Sequence, residues 1–133
     1  MRKVVGLMFM MAATLAAISA AKAGQYPPGL REFQGPVSLC EDSTLAKKIA
    51  DVRQYGIAVT EDAMQVLGGR PGKSGKSICR DQRVDLSNAV LKEVTTIDPF
   101  APTGEAPLQG WIVDVQSGPD EYWILWFMRV NSA

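Results

Sequence analysis

Trp111-Ile-Val-Asp-Val-Gln-Ser-Gly-Pro-Asp-Glu-Tyr-Trp-Ile-Leu-Trp-Phe-Met-Arg-Val130 decides how this chain folds. Two runs of β-branched and aromatic residues, Trp111–Gln116 and Tyr122–Val130, flank Ser117-Gly118-Pro119-Asp120-Glu121. Gly permits positive φ, Pro presets φ, and Asp bonds its own backbone, so the interval is a turn. The stretch predicts a C-terminal β-hairpin with a five-residue connection.

The two runs differ in their faces. Alternation puts Trp111, Val113 and Val115 on one side, and Ile112, Asp114 and Gln116 on the other. The second run is apolar on both sides: Tyr122, Ile124, Trp126, Met128 and Val130 alternate with Trp123, Leu125, Phe127 and Arg129. Such a strand is covered on both faces, by its own domain or by a partner. The first reading predicts a central strand with helices on one side and loops on the other. The second makes Trp111, Tyr122, Trp123 and Trp126 an aromatic binding surface, since Trp and Tyr are favoured at interfaces.

Outward from the hairpin, the N-terminus has the layout of an export signal. Met1-Arg2-Lys3 is basic, Val4 to Ala21 is apolar, and Ala21-Lys22-Ala23 is an A-x-A site. The expectation is a cleaved signal peptide over residues 1–23, against the rival of a retained anchor. No Cys stands at the cut, so no lipoprotein anchor is indicated. Cleavage leaves 110 of the 133 residues, enough for one domain. It also removes Arg2, Lys3 and Lys22, leaving eleven basic against fourteen acidic residues and a net charge near −3. Global charge therefore gives no argument for nucleic acid or for an anionic membrane surface.

Cys40 and Cys79 are the two cysteines. In an exported chain an even count predicts a disulfide. Their spacing is far from C-x-x-C, so no redox motif is present. With no His in the chain and no further Cys, no zinc set can be assembled.

Residues 24–36 hold Pro27, Pro28, Gly29, Gly35 and Pro36 and predict an extended arm, with Tyr26 and Phe33 tucked onto the domain. Residues 37–133 form the single domain. Asp42 or Ser43 caps a helix to about Tyr55, with Leu45, Ile49 and Val52 as its buried stripe and Gly56 as its stop. Thr60 is expected to cap a second helix, Glu61 to Leu67. Gly68 to Ser77 then has no hydrophobic period and reads as a loop.

In that loop Gly72-Lys73-Ser74 and Gly75-Lys76-Ser77 look like the end of a P-loop. The motif needs Gly five positions before its G-K, and counting back reaches Leu67 and Arg70. A nucleotide site is excluded on that ground. Arg70, Lys73, Lys76, Arg80 and Arg83 remain as a basic cluster with Gly-rich backbone, a candidate site for phosphate, sulfate or carboxylate. Its plainer reading is an exposed loop held by Cys79. From Val84 to Ile97 a helix and a strand compete. The alternation of Val90, Lys92, Val94 and Thr96 favours a strand ending before Pro99.

The chemistry available is narrow. Without His, the Ser-His-Asp and Cys-His arrangements are gone, as is the commonest general base near neutral pH. Paired carboxylates remain: Glu41 with Asp42, and Asp114 with Asp120 or Glu121. Asp114 lies in an apolar strand and needs a partner if buried, for which Arg129 on the facing strand is the expectation.

The sequence thus predicts an α+β fold: a small antiparallel sheet with a C-terminal β-hairpin, packed against one or two short N-terminal helices and stapled by one disulfide. It points to a periplasmic or secreted, non-catalytic binding protein of a bacterial envelope. Its partner would be another protein or an envelope polymer, with no nucleic acid, no cofactor and no metal. No membrane span would remain after cleavage, and a homodimer stays open. The alternative is a small carboxylate-dependent hydrolase acting on envelope glycans.

Overall fold

The computed structural model describes residues 25–130, so the expected signal peptide lies outside the described residues. The hairpin is the middle of the molecule. Strand β4, Leu108–Ser117, pairs antiparallel with β5, Asp120–Arg129, over ten residue pairs. The connection is tighter than the expected five residues, because Ser117 already pairs with Asp120 and only Gly118-Pro119 turns. Gly118 has φ +60° and Pro119 is held by its ring at negative φ, the combination of a two-residue type II′ turn.

Three further strands complete one antiparallel sheet in the order β2-β1-β5-β4-β3. These are β1, Val37–Cys40; β2, Cys79–Gln82; and β3, Val90–Phe100. The strand reading of the ambiguous segment holds from Val90. A short 3-10 turn at Leu86–Asn88 precedes it, and it runs past Pro99 to Phe100 through a register shift after Ile97. Proline is tolerated there because β3 is an edge strand. Cys40 and Cys79 lie opposite each other in the β1–β2 register and form the disulfide.

Strand β5 is central, and its two apolar faces enter two cores. On one side Leu125 and Ile112 pack with Leu45, Ala46, Ile49 and Ala50 of helix α1, Ser43–Val52. Asp42 starts that helix by accepting a hydrogen bond from the Leu45 amide at 2.9 Å. On the other side Ile124, Val113, Val115 and Tyr122 pack with Leu30, Val37 and Leu39. The chain from 25 to 36 covers this second face, turning through Pro28–Glu32 and burying Leu30 completely. Each fully buried aliphatic side chain contributes about 1.5–3 kcal/mol. No partner chain is needed to account for the two-faced strand.

The second helix differs from its expected form. Helix α2 spans Ile57–Val66 and starts at Gly56, φ +109°, after a 3-10 turn at Arg53–Tyr55. Thr60 is not its cap but sits in its first turn, donating to the Gly56 carbonyl at 2.8 Å. The missing capping side chain is supplied from a distance: Glu105 accepts from the Ile57 amide at 3.0 Å and from Arg53 at 2.7 Å. Helix α2 is also packed less deeply than α1. It buries no residue fully and leaves Ile57, Val59 and Val66 exposed.

Candidate functional site

The four aromatics of the hairpin do not share one surface. Trp111, Tyr122 and Trp126 belong to the face covered by residues 25–36. Trp126 donates its indole N–H to the Pro28 carbonyl at 2.9 Å and takes the edge of Phe33 at 5.3 Å. Tyr122 is buried, with the Arg80 guanidinium 5.8 Å from its ring centre. Trp123 alone faces the helix side, where it is half-buried beside the α1 core.

There Trp123 lines two clefts. One, about 240 Å³, holds Glu41, Lys73, Asp120 and Glu121. The other, about 260 Å³, holds Ser43, Lys47, Glu93 and Asp114. Strand alternation explains the grouping. Asp114 pairs with Trp123 on one side and Glu93 on the other, and Glu121 lies two residues before Trp123 on the same face.

Asp114 is the anomaly of this face. The expected partner, Arg129, is at the far end of β5, opposite Leu108, and does not reach it. Asp114 instead lies against the carboxyl of Glu121, and its Oδ1 is buried without a hydrogen-bond partner. Burial, then the Glu121 hydrogen bond and charge, push the Asp114 carboxyl up to about 6. The Glu121 carboxyl is held below its usual range by Asp114 and by Lys92, whose ammonium is 2.9 Å away. The raised carboxyl of Asp114 and the depressed carboxyl of Glu121 fit an arrangement in which Asp114, when protonated, donates to the Glu121 carboxylate. Of the sequence-derived carboxylate pairs, the structure brings this one together. Asp42 is spent on the helix cap, and Glu41 points elsewhere.

Glu41 points into the basic loop. Its carboxylate accepts from the Ser74 hydroxyl at 2.6 Å, the Ser74 amide at 3.4 Å and the Arg80 guanidinium at 2.5 Å. Gly72 closes over it so tightly that an added Cβ would clash with Glu41 Oε1. The Gly-rich loop with its Ser and Arg does hold a carboxylate, and that carboxylate is the chain's own. Arg70, Lys73 and Lys76 are exposed in this loop and Arg80 is drawn inward, whereas Arg83 follows the opposite end of β2 and lines a separate pocket with Arg31, so the five basic residues do not form one site.

Among the described residues no cluster of His, Cys, Asp or Glu is arranged to hold a metal ion, and no helix is long and apolar enough to cross a membrane. Comparison of the chain with protein-family models, curated proteins and solved structures finds no match.

Proposed function

We propose that this chain is a small exported binding protein of the bacterial envelope that acts without catalysis, and that Trp123 is its contact for a glycan polymer. The observation that carries this reading is the position of Trp123. It is the hairpin tryptophan that the chain's own arm leaves uncovered, and it is flanked by carboxyl and ammonium groups in two adjoining clefts. An indole face takes the apolar face of a sugar ring, and side-chain oxygens and ammonium groups beside it take the hydroxyls. Two clefts lined by one tryptophan suit two consecutive units of a chain. The disulfide and the lack of a membrane-crossing helix among the described residues are compatible with export.

Sedimentation of the oxidised protein with insoluble cell-wall glycan tests the reading. Binding should be retained by Trp126→Phe and lost by Trp123→Ala, with both variants keeping the wild-type circular dichroism. Equal retention of both variants on the glycan, or no sedimentation of the wild type, rules it out.

One observation favours a second reading, a carboxylate-dependent hydrolase. Asp114 and Glu121 titrate apart, as an acid and a base in one site do. Against it, the two carboxyls are in hydrogen-bond contact, whereas glycosidases hold theirs roughly 5–10 Å apart. Release of reducing ends from the same glycan, abolished by Asp114→Asn and by Glu121→Gln, is the result that would replace the binding reading.

A further inference from the structure

A groove of about 680 Å³ separates α2 from the β1–β2 end of the sheet, and Trp123 is not part of its lining. Met64 and Cys79 line it, with Ile57 at the rim, 52% exposed. A helix that is apolar on more than one side is covered on more than one side, and α2 exposes Ile57, Val59 and Val66 while burying no residue fully. The groove is also acidic. Glu61 stands on its helix wall and Asp81 on its strand wall, and neither is paired with a cation among the described residues. Arg80 contributes to the lining, but its guanidinium is bound to Glu41.

The strand wall is a sheet edge. Just before β2 the Ile78 carbonyl points inward to the Glu41 amide, and in β2 the Cys79 amide points outward to the Gly68 carbonyl. By alternation Asp81 also turns its backbone outward, beyond the last pairing that the chain provides. Asp81 accepts only the neutral Ser38 hydroxyl, at 2.7 Å, so an apolar floor, two carboxylates without a cation and an outward-facing backbone edge meet in one place.

We infer that this groove docks an extended segment of a partner polypeptide, which adds to the β2 edge at Asp81. The segment sets an apolar side chain against Met64 and a lysine or arginine between Glu61 and Asp81. Charge complementarity selects this occupant: the groove offers two carboxylates that no cation neutralises, Asp81 being held only by the Ser38 hydroxyl, and its one cation, Arg80, is bound to Glu41, so an acidic segment gains nothing from its walls. Edge addition supplies main-chain bonds, and the groove supplies the choice of side chain.

The test uses the oxidised protein and a synthetic blocked peptide of alternating Leu and Lys, with an alternating Leu and Glu peptide beside it. Titration followed by amide chemical shifts should move Ile57, Met64 and Asp81 with the Lys peptide and leave them in place with the Glu peptide. Glu61→Lys and Asp81→Lys, both at exposed positions, should each weaken binding about tenfold. Asp98→Lys, on the opposite edge strand β3, makes the same change in net charge and should leave affinity unaltered. Equal binding of the two peptides overturns the inference. So does equal weakening by Asp98→Lys, or a shift pattern centred on Trp123.

Discussion

Arg80 and Glu41 meet at 2.5 Å with side chains only 12% and 7% exposed, joining β2 to the chain just beyond β1. Burial works against the ionised Glu41, but the Ser74 hydrogen bonds and Arg80 outweigh it and hold the carboxyl below its usual range. Removing one member leaves the other buried and unpaired. Arg80→Met should therefore lower unfolding free energy by about 3 kcal/mol, read from urea titration at pH 7. Glu41→Gln should act on pH as well. A carboxylate with a depressed folded pKa contributes stability above its unfolded value, and that stability is lost as pH falls through the folded value. The variant should therefore show a flatter acid limb between pH 5 and pH 3 than the wild type.

Asp114 predicts the opposite pH dependence. Its carboxyl is raised from 3.8 to about 6, so the folded state favours the protonated form. The unfolded chain ionises first as pH rises, and stability contributed by this group is lost between about pH 4 and pH 6. Asp114→Asn keeps the shape, donates an N–H to Glu121, and has no proton to lose. At pH 7 it should be more stable than the wild type, by on the order of 1 kcal/mol after allowance for screening at this half-buried position. At pH 4 the gain should vanish. A thermal melt series at the two pH values reads both outcomes.

Leu30 holds the covering arm to the sheet. It is 1% exposed and packs in the same cluster as Val113, Val115 and Ile124. Leu30→Ala should cost about 3 kcal/mol, the range for an aliphatic cavity. Trp126 fluorescence should move to the red in the native variant if the arm loosens over it, because Pro28 and Phe33 are its covering contacts.

The disulfide closes a loop with a sequence separation of 39. In the chain-entropy description a loop of that length contributes about 4 kcal/mol. Replacing both cysteines by Ala should lower the urea midpoint correspondingly. Replacing them should leave the Glu41–Arg80 bridge and the Ser38–Asp81 hydrogen bond as side-chain ties across the β1–β2 pair.

What the sequence revealed follows from how each signal is encoded. The two-sided apolarity of Tyr122–Val130 marks a central strand, because burial on both faces must be written residue by residue. The stripe Leu45, Ile49 and Val52 marks α1 for the same reason. Strands β1 and β2 were missed. Each is four residues long, and Cys79-Arg80-Asp81-Gln82 is polar, held in the sheet by the disulfide and Arg80 rather than by its own pattern. The start of α2 was misread because Glu105, 48 residues from Ile57, supplies its cap, and no local signal encodes that. Trp123 stood among four equivalent aromatics. Alternation separates it from Tyr122 and Trp126, the β4–β5 register separates it from Trp111, and only the arm's path shows which face is covered. Asp114 as the odd residue was legible from its neighbours, whereas its partner required the strand register, which sets Arg129 beyond reach and Glu121 alongside.

The strand order has a consequence for how the chain comes together in an oxidising compartment. β1 emerges early, but its neighbour in the sheet is the last strand made: Ser38 pairs with Leu125. Until β5 arrives, β1 has an unsatisfied edge open to other chains. Its other edge can be closed sooner by β2, and the Cys40–Cys79 bond makes that pairing permanent. The bridge thus acts as a holding clamp. Closed before β5 pairs, it would keep the first strand in a two-stranded ribbon until the β4–β5 hairpin around Gly118-Pro119 receives it.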